Sequence, residues 1–526
     1  MLMDARLAKR SRLEDGFPMR HFPLLLAGLF ACSFVHAAIP DPVRIDTGLI
    51  SGATTADGAV RMFKGVPYAA PPVGELRWRA PQAAADWGGV RKAEHFGQVC
   101  MQNQNPVAGT PAPSEDCLYI NVWSGAQSAN ERRPVIVWNY GGGFYVGSGS
   151  QAMYDGEALA RKGAVVVTYN YRLGPFGFFA HPELSKESGR NSSGNYGMMD
   201  AVQALRWVQK NIPAFGGDPN RVTIDGESAG AILVAALVAS PEAKGLFHRA
   251  IAQSGAFMGI NIGKTTTLEQ AEQTGKKMAD EMGAMNLAAL RAISAADLLK
   301  KGRAGGLIVD GRYIPEDLSA IYAKGKQTPV DVLLGSNKDE GTFFIRPGTG
   351  NAQEYTAQTR KRFGDLADGY LKLHPAGSDS EAETSSLLSM RDEIGWHLRT
   401  WAQLQTQRGN KAYLYFFTRV PPVAPGQPSR GATHTAEIRY MFNNLDSLAP
   451  LTDIDRKLAD AMSSYWVNFA ATGNPNGKGL PEWPSYDARK NAQPMVLGDS
   501  VGVGAGISPT VLSFFDGFYE KQQARP

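Results

Sequence analysis

The stretch RVTIDGESAGAILVAALVAS, Arg221 to Ser240, decides the fold. Its opening residues, Arg221 to Asp225, carry Val, Thr and Ile at their centre and read as a short buried strand. Ala229 to Ser240 is rich in Ala, Leu and Val and is stopped by Pro241, so it reads as a helix. Between them lies Gly226-Glu227-Ser228-Ala229-Gly230. A chain that passes from strand to helix over so few residues must bend sharply, and glycines on either side of Ser228 remove the side chains that would collide there. The pattern alone is weak: with 58 glycines in 526 residues, roughly 0.4 chance occurrences of Gly-x-Ser-x-Gly are expected. It occurs twice. Gly498-Asp499-Ser500-Val501-Gly502 runs into VGAGISP, which has no helical character. Only Ser228 has the strand, turn and helix that push a hydroxyl into an exposed, reactive position.

Working outward, the same kind of strand recurs at Pro134 to Asn139, Ala164 to Tyr169, Asp331 to Gly335 and Lys411 to Phe417. Such apolar runs, separated by helical patterns, predict an α/β architecture with a large, mostly parallel central sheet and helices on both faces. Met199 to Asn211 repeats its apolar residues at three and four positions and predicts one of those helices. Two longer interruptions, near 264–301 and 352–408, are helical in pattern and are expected to sit over the sheet as a lid. The Met residues of the first fit adaptable core or pocket wall better than a cofactor box. Neither an internal repeat nor a Ser/Gly or Pro-rich linker divides the chain, so residues 38–526 are expected to form one catalytic domain.

Composition narrows the function. Hydrophobic residues make up 43% and charged residues 20% of the chain, which excludes intrinsic disorder. With 54 Lys and Arg against 50 Asp and Glu, interspersed in sign, the net charge of +4 leaves no polybasic footprint for nucleic acid or for a membrane surface. Near the start, the apolar run Phe22 to Val35 follows Arg20 and precedes Val35-His36-Ala37, a signal-peptidase pattern. Residues 1–37 are therefore read as a secretory signal, with translation starting at Met1 or Met19, and the mature protein as secreted or periplasmic. The competing reading is a lipoprotein signal with Cys32 as the acylated residue, against which stands the bulk of Phe30. No later run approaches the roughly 20 apolar residues of a membrane span. With Cys32 removed, Cys100 and Cys117 are left as an even pair, expected to be a disulfide contributing roughly 3 kcal/mol in the chain-entropy picture. No Cys/His cluster points to a metal, and neither a metal nor an organic cofactor is expected.

A serine nucleophile requires an oxyanion site, a base and an acid. As the first residue of the helix, Ala229 offers an N–H at its positive end. Further donors are expected from Asn139-Tyr140-Gly141-Gly142-Gly143-Phe144, where consecutive glycines after a strand let backbone N–H groups face a cavity. In the order Ser, acid, His, the acid belongs in Lys338-Asp339-Glu340-Gly341, just after the strand 331–335; either Asp339 or Glu340 satisfies the pattern. The histidines after it are His374, His397 and His434. Only His434 follows a late strand in a loop, so it is the candidate base. Glu437, one helical turn further on, reads as a helix-start or supporting carboxylate rather than half of a metal motif.

Taken together, Phe63 to Ala69 (FKGVPYA), Ser114 to Tyr119 (SEDCLY), Gly141 to Phe144 (GGGF), Asn211 to Pro219 (NIPAFGGDP), GESAG at 226–230, KDEG at 338–341 and Gly431 to His434 (GATH) resemble the type-B carboxylesterase/lipase family, which includes the cholinesterases. The resemblance runs from about residue 40 to 490. It implies the α/β-hydrolase fold and a serine esterase with Ser228 as nucleophile, Glu340 as acid and His434 as base. Gly142, Gly143 and Ala229 would be the oxyanion donors and Cys100–Cys117 the family's first disulfide. The chain departs from the cholinesterases in having no aromatic residue between Met101 and Asp116, so choline recognition by a ring in that loop is not expected. A small-molecule ester is the expected substrate. A lipase, a specialised polyester or toxin esterase and a non-catalytic binding protein on the same scaffold are the alternatives, and the intact set Ser228, Glu340 and His434 disfavours the last.

Overall fold

Apolar residues, mostly Val, Ile, Leu and Ala and in the last strand Tyr and Phe, run through the strands Arg133–Asn139, Val165–Tyr169, Gly217–Glu227, Arg249–Gln253, Asp331–Asn337 and Ala412–Phe417, and nearly all of them are buried. Apolar side chains on both faces require cover on both faces, which is the signature of a parallel sheet. In the computed structural model these strands pair in parallel in the order 165–169, 133–139, 217–227, 249–253, 331–337, 412–417, with Met495–Leu497 added in parallel. The structure describes residues 39–103, 110–257, 265–302, 304–446, 450–490 and 493–523. The expected signal at 1–37 with Met19 and Cys32, part of the disulfide loop (104–109) and residue 264 of the first interruption lie outside the described residues.

Each of the five strands expected from apolar runs is present, as is the helix at 199–211, which begins slightly earlier and spans Tyr196–Asn211. Among the described residues the sheet has 13 strands. Its N-terminal flank is mostly antiparallel: Arg61–Pro67 pairs with Tyr119–Ser124, and Tyr119–Ser124 with Val165–Tyr169, while Val90–Ala93 pairs with Gly48–Thr54 in parallel. Those flanking strands mix Arg, Lys, Gly and Asn with apolar residues, so they lack the continuous runs that identify the centre.

Helix Ala229–Ala239 is apolar all round and every residue in it is buried, as expected for a helix packed on strands and covered by other elements. The first interruption contains helices Leu268–Glu281, Leu287–Ala292 and Ala295–Lys301; the second contains Ala352–Phe363, Ala367–Leu373 and the 29-residue Asp379–Gln407. The last is more than a surface addition. Its C-terminal half turns Ile394, Leu398, Trp401 and Ala402 into the main core against the central strands. The half before it carries the polar residues that hide this amphipathic face in the sequence. Residues 37–526 cluster as one compact unit. Cys100 and Cys117 are joined by a disulfide, and both are buried. Among the described residues no helix is long and apolar enough to cross a membrane.

Candidate active site

Ser228 occupies the turn between strand Gly217–Glu227 and helix Ala229–Ala239 with φ +56° and ψ −124°. A side-chain-bearing residue held there costs roughly 1–3 kcal/mol, so the surroundings must impose it. They do so through backbone: Ser228 N–H donates to the Gln253 carbonyl at 2.9 Å, and Ile232 N–H donates to the Ser228 carbonyl at 3.0 Å. Gly230 faces the end of the neighbouring strand so closely that a Cβ would lie 1.9 Å from the Asn139 carbonyl oxygen. No other residue fits. The second Gly-x-Ser-x-Gly has a different shape, since Gly498–Ser500 link the antiparallel strands Met495–Leu497 and Val501–Val503.

The loops after two further strands deliver the other groups. Glu340 follows strand Asp331–Asn337, and His434 follows Ala412–Phe417. His434 Nδ1 and Glu340 Oε2 are 2.6 Å apart, both residues buried. The other Glu340 oxygen accepts from Ser254 Oγ at 2.6 Å and from Asn337 N–H at 2.7 Å, so the carboxylate is fixed on both sides. Asp339, its neighbour, points elsewhere. It accepts from the Ala432 N–H at 2.7 Å and donates its own N–H to the Ala432 carbonyl at 3.0 Å, clamping the loop that presents His434. Asn337 Nδ2 adds bonds to the Thr433 carbonyl at 2.8 Å and to Glu437 at 2.5 Å. His374, by contrast, is tied to Asp392, and His397 lies within helix Asp379–Gln407; neither joins this group.

On its other side the imidazole meets a second carboxylate. His434 Nε2 lies 3.1 Å from Glu227 Oε1, but among the described residues neither atom has a hydrogen-bond partner, and Nε2 makes no bond to Ser228. Glu227, Glu340 and Glu437 thus surround a single buried imidazole. Burial, then the charges of Glu437 and Glu340, push the Glu227 carboxyl above the usual carboxylate range, and His434 works against that shift. Burial and Glu340 push Glu437 up in the same way. For His434, burial disfavours the charged ring, yet the Glu227 and Glu340 carboxylates outweigh it and hold the ring above its ordinary pKa.

The glycine loop packs against this turn. Gly142 and Gly143 have φ +109° and +65°, and a Cβ on Gly142 would lie 2.1 Å from the Val146 carbonyl oxygen. The Gly142 carbonyl is used inside the loop, accepting from the Tyr145 and Val146 N–H groups at 3.1 Å each. Ala229, the first residue of its helix, has an N–H without an intrahelical acceptor. Phe343 and Phe344 flank His434 at a tilt, with ring centroids 5.4 and 4.9 Å away, and both remain partly exposed. Among the described residues no group of three or more His, Cys, Asp or Glu side chains is arranged to hold a metal ion.

Sequence reasoning therefore placed Ser228, Glu340, His434, Gly142, Gly143 and Ala229 in regions that the fold brings together. It missed Glu227 as the carboxylate facing Nε2, Ser254 and Asn337 as the supports of Glu340, and Phe343 and Phe344 as the flanking rings. Glu227 was inside the decisive pentapeptide, and the aromatic pair followed the acid by three residues. Ser254 left no signal, because its contact with Glu340 is made across 86 residues.

The chain is similar to known proteins over most of its length. The model of the carboxylesterase family matches residues 40–507. Fumonisin B1 esterase of Sphingopyxis macrogoltabida is 39% identical over 505 residues, 90% of each chain. Para-nitrobenzyl esterase of Bacillus subtilis (strain 168) is 36% identical over 473 residues, 84% of this chain and 92% of that one. A solved PNB esterase structure has a TM-score of 0.78 at 33% identity, covering 91% of this chain and 98% of its own. The fold is thus the α/β-hydrolase fold, and a match of that extent over nearly the whole described chain makes this protein a carboxylesterase, a member of the carboxylesterase family.

Proposed function

We propose that this carboxylesterase works through an acyl-enzyme, with Ser228 as nucleophile, His434 as general base and Glu340 as the acid that orients it. The observation that carries the reading is the 2.6 Å contact between His434 Nδ1 and Glu340 Oε2, directed by loops at the ends of two strands beside the Ser228 turn. Ser228 Oγ attacks the ester carbonyl carbon as its proton passes to His434 Nε2. The oxyanion is met by the N–H groups of Gly142, Gly143 and Ala229. Collapse breaks the bond to the alcohol oxygen, which leaves with the proton from Nε2. Water, activated by the same nitrogen, then releases the acid and restores Ser228. Between the resting structure and the reaction, Nε2 turns from Glu227 to the Ser228 hydroxyl, a tightening expected when substrate fills the site. One domain, residues 38–526, carries this chemistry behind the cleaved leader 1–37, and the Cys100–Cys117 disulfide supports an oxidising destination outside the cytoplasm.

A fluorophosphonate probe tests the assignment of the nucleophile. It should inactivate the enzyme with one adduct per chain, located by peptide mass on Ser228; an adduct on Ser500, or inactivation without a serine adduct, would sink it. For substrate class, the name of the relative at 39% identity makes fumonisin B1 a rational test ester beside nitrobenzyl and short-chain nitrophenyl esters.

The three carboxyls around His434 give a pH prediction. The base must be neutral to accept the Ser228 proton, and the neighbouring carboxylates hold the ring charged to higher pH. Glu227→Gln removes the charge facing Nε2, so the His434 pKa should fall. The rising limb of kcat/KM against pH should then move toward lower pH by about 1–2 units. A limb that stays in place, or moves to higher pH, would show that Glu227 does not set the charge of the base.

A further inference from the structure

A cleft of about 870 Å³ lies apart from the site just described, and neither Ser228, Glu340 nor His434 lines it. Its walls come from Trp78–Gln82, from the turn that follows helix Pro182–Glu187, from helix Tyr196–Asn211 and from Asp310–Tyr313. Leu184, Tyr196 and Trp78 form its apolar side, and they belong to a small core shared with the helices of the first interruption. Over this floor stand four guanidinium groups, Arg79, Arg190, Arg206 and Arg312, against two lining carboxylates, Glu187 and Asp310.

Most of the carboxylates nearby are already engaged. Glu242 is shared by Arg206 at 3.1 Å and Arg312 at 2.7 Å. Glu187 is shared by Arg79 at 3.0 Å and Arg291 at 2.6 Å, with the exposed Glu75 3.7 Å from Arg291. Asp310 is buried and turned inward, accepting from Asn195 Nδ2 and from the N–H groups of Arg312 and Ile314. Arg190 is exposed and has no ion-pair partner among the described residues. The side chains of Arg79, Arg206 and Arg312 remain 43%, 45% and 36% exposed, so their forks are accessible from the cleft.

A planar guanidinium matches an oxyanion with two parallel hydrogen bonds, and the volume is that of a small-molecule site. We propose that this cleft is a second binding site for organic carboxylates, with the carboxylate on Arg190 and the Arg206–Arg312 pair and the apolar body against Leu184, Tyr196 and Trp78. Acids of this class are what ester hydrolysis releases, so the site would sense product without sharing a residue with the catalytic group. A phosphate could satisfy the same forks but would leave the apolar wall unused.

Calorimetric titration of the full chain with benzoate and with inorganic phosphate tests this. Benzoate should bind saturably and more tightly than phosphate, and its affinity should weaken with added salt. Arg190→Glu and Arg312→Gln should each weaken benzoate about tenfold or more, while kcat for a neutral nitrophenyl ester stays unchanged. Among the described residues the Arg190 side chain has no hydrogen-bond or ion-pair partner, and the residue is exposed, so its replacement does not threaten folding. Absence of saturable benzoate binding, equal affinity for phosphate, or affinity unchanged in both variants would each overturn the proposal. None of these outcomes depends on which serine is the nucleophile.

Discussion

Replacing Ser228 with Ala should lower kcat for a short-chain nitrophenyl ester by about 10⁵- to 10⁶-fold, with the protein still folded. Loss of the attacking oxygen removes the covalent route entirely, and what remains is the modest acceleration that an oxyanion site and substrate binding give to water. Folding should survive because the strained backbone at φ +56° is imposed by neighbours, through the Gln253 carbonyl and the packing of Gly230, and not by the hydroxyl. Circular dichroism and the melting temperature should therefore match the parent. Ser500→Ala provides the contrast: its Gly-x-Ser-x-Gly is a hairpin link between Met495–Leu497 and Val501–Val503, and turnover should be unaltered. Substantial activity in the Ser228 variant would force the nucleophile elsewhere.

Gly230→Ala should do damage of a different kind. A methyl at this position would lie 1.9 Å from the Asn139 carbonyl oxygen. That oxygen cannot retreat, because strand Arg133–Asn139 is paired on both sides, with Val165–Tyr169 and with Gly217–Glu227. The helix must move instead, carrying Ser228 and the Ala229 N–H with it. Overpacking of this type costs about 1–3 kcal/mol of stability. A displacement near 1 Å at reacting groups costs on the order of 10²-fold in rate. Gly517→Ala is the control, since a Cβ there meets nothing within 4 Å and the residue lies inside helix Pro509–Gln523; it should be neutral or slightly stabilising. Equal activity and equal melting temperature for Gly230→Ala would mean that the turn is looser than its contacts imply.

The central strands and the Ser228 turn were legible because their cause is local: continuous apolar runs for strands buried on both faces, and glycines where backbone must approach backbone. The strands of residues 43–124 were not, because Gly, Arg, Lys and Asn interrupt their apolar residues and leave no continuous run. The core-facing half of helix Asp379–Gln407 was hidden behind its polar first half. Within the site, the choice between Asp339 and Glu340 was invisible to pattern, since adjacent residues in a tight turn point in different directions. The fold separates them, one carboxylate on the His434 ring and the other on the Ala432 backbone. Glu227 escaped notice for a related reason: its carboxylate matters through the position of the His434 ring, 207 residues further along the chain.

The contacts that complete the site join residues far apart in sequence. Glu340 is linked to Ser254 across 86 residues and to His434 across 94, and Ser228 is fixed from a separate strand. No contiguous fragment shorter than the span 142–434 contains the glycine loop together with Ser228, Glu340 and His434, and the sheet that aligns them begins earlier still. Hydrolytic activity therefore counts finished molecules. During refolding it should recover only with the last cooperative step, well after helical circular dichroism has returned, which makes the enzyme its own reporter of native topology.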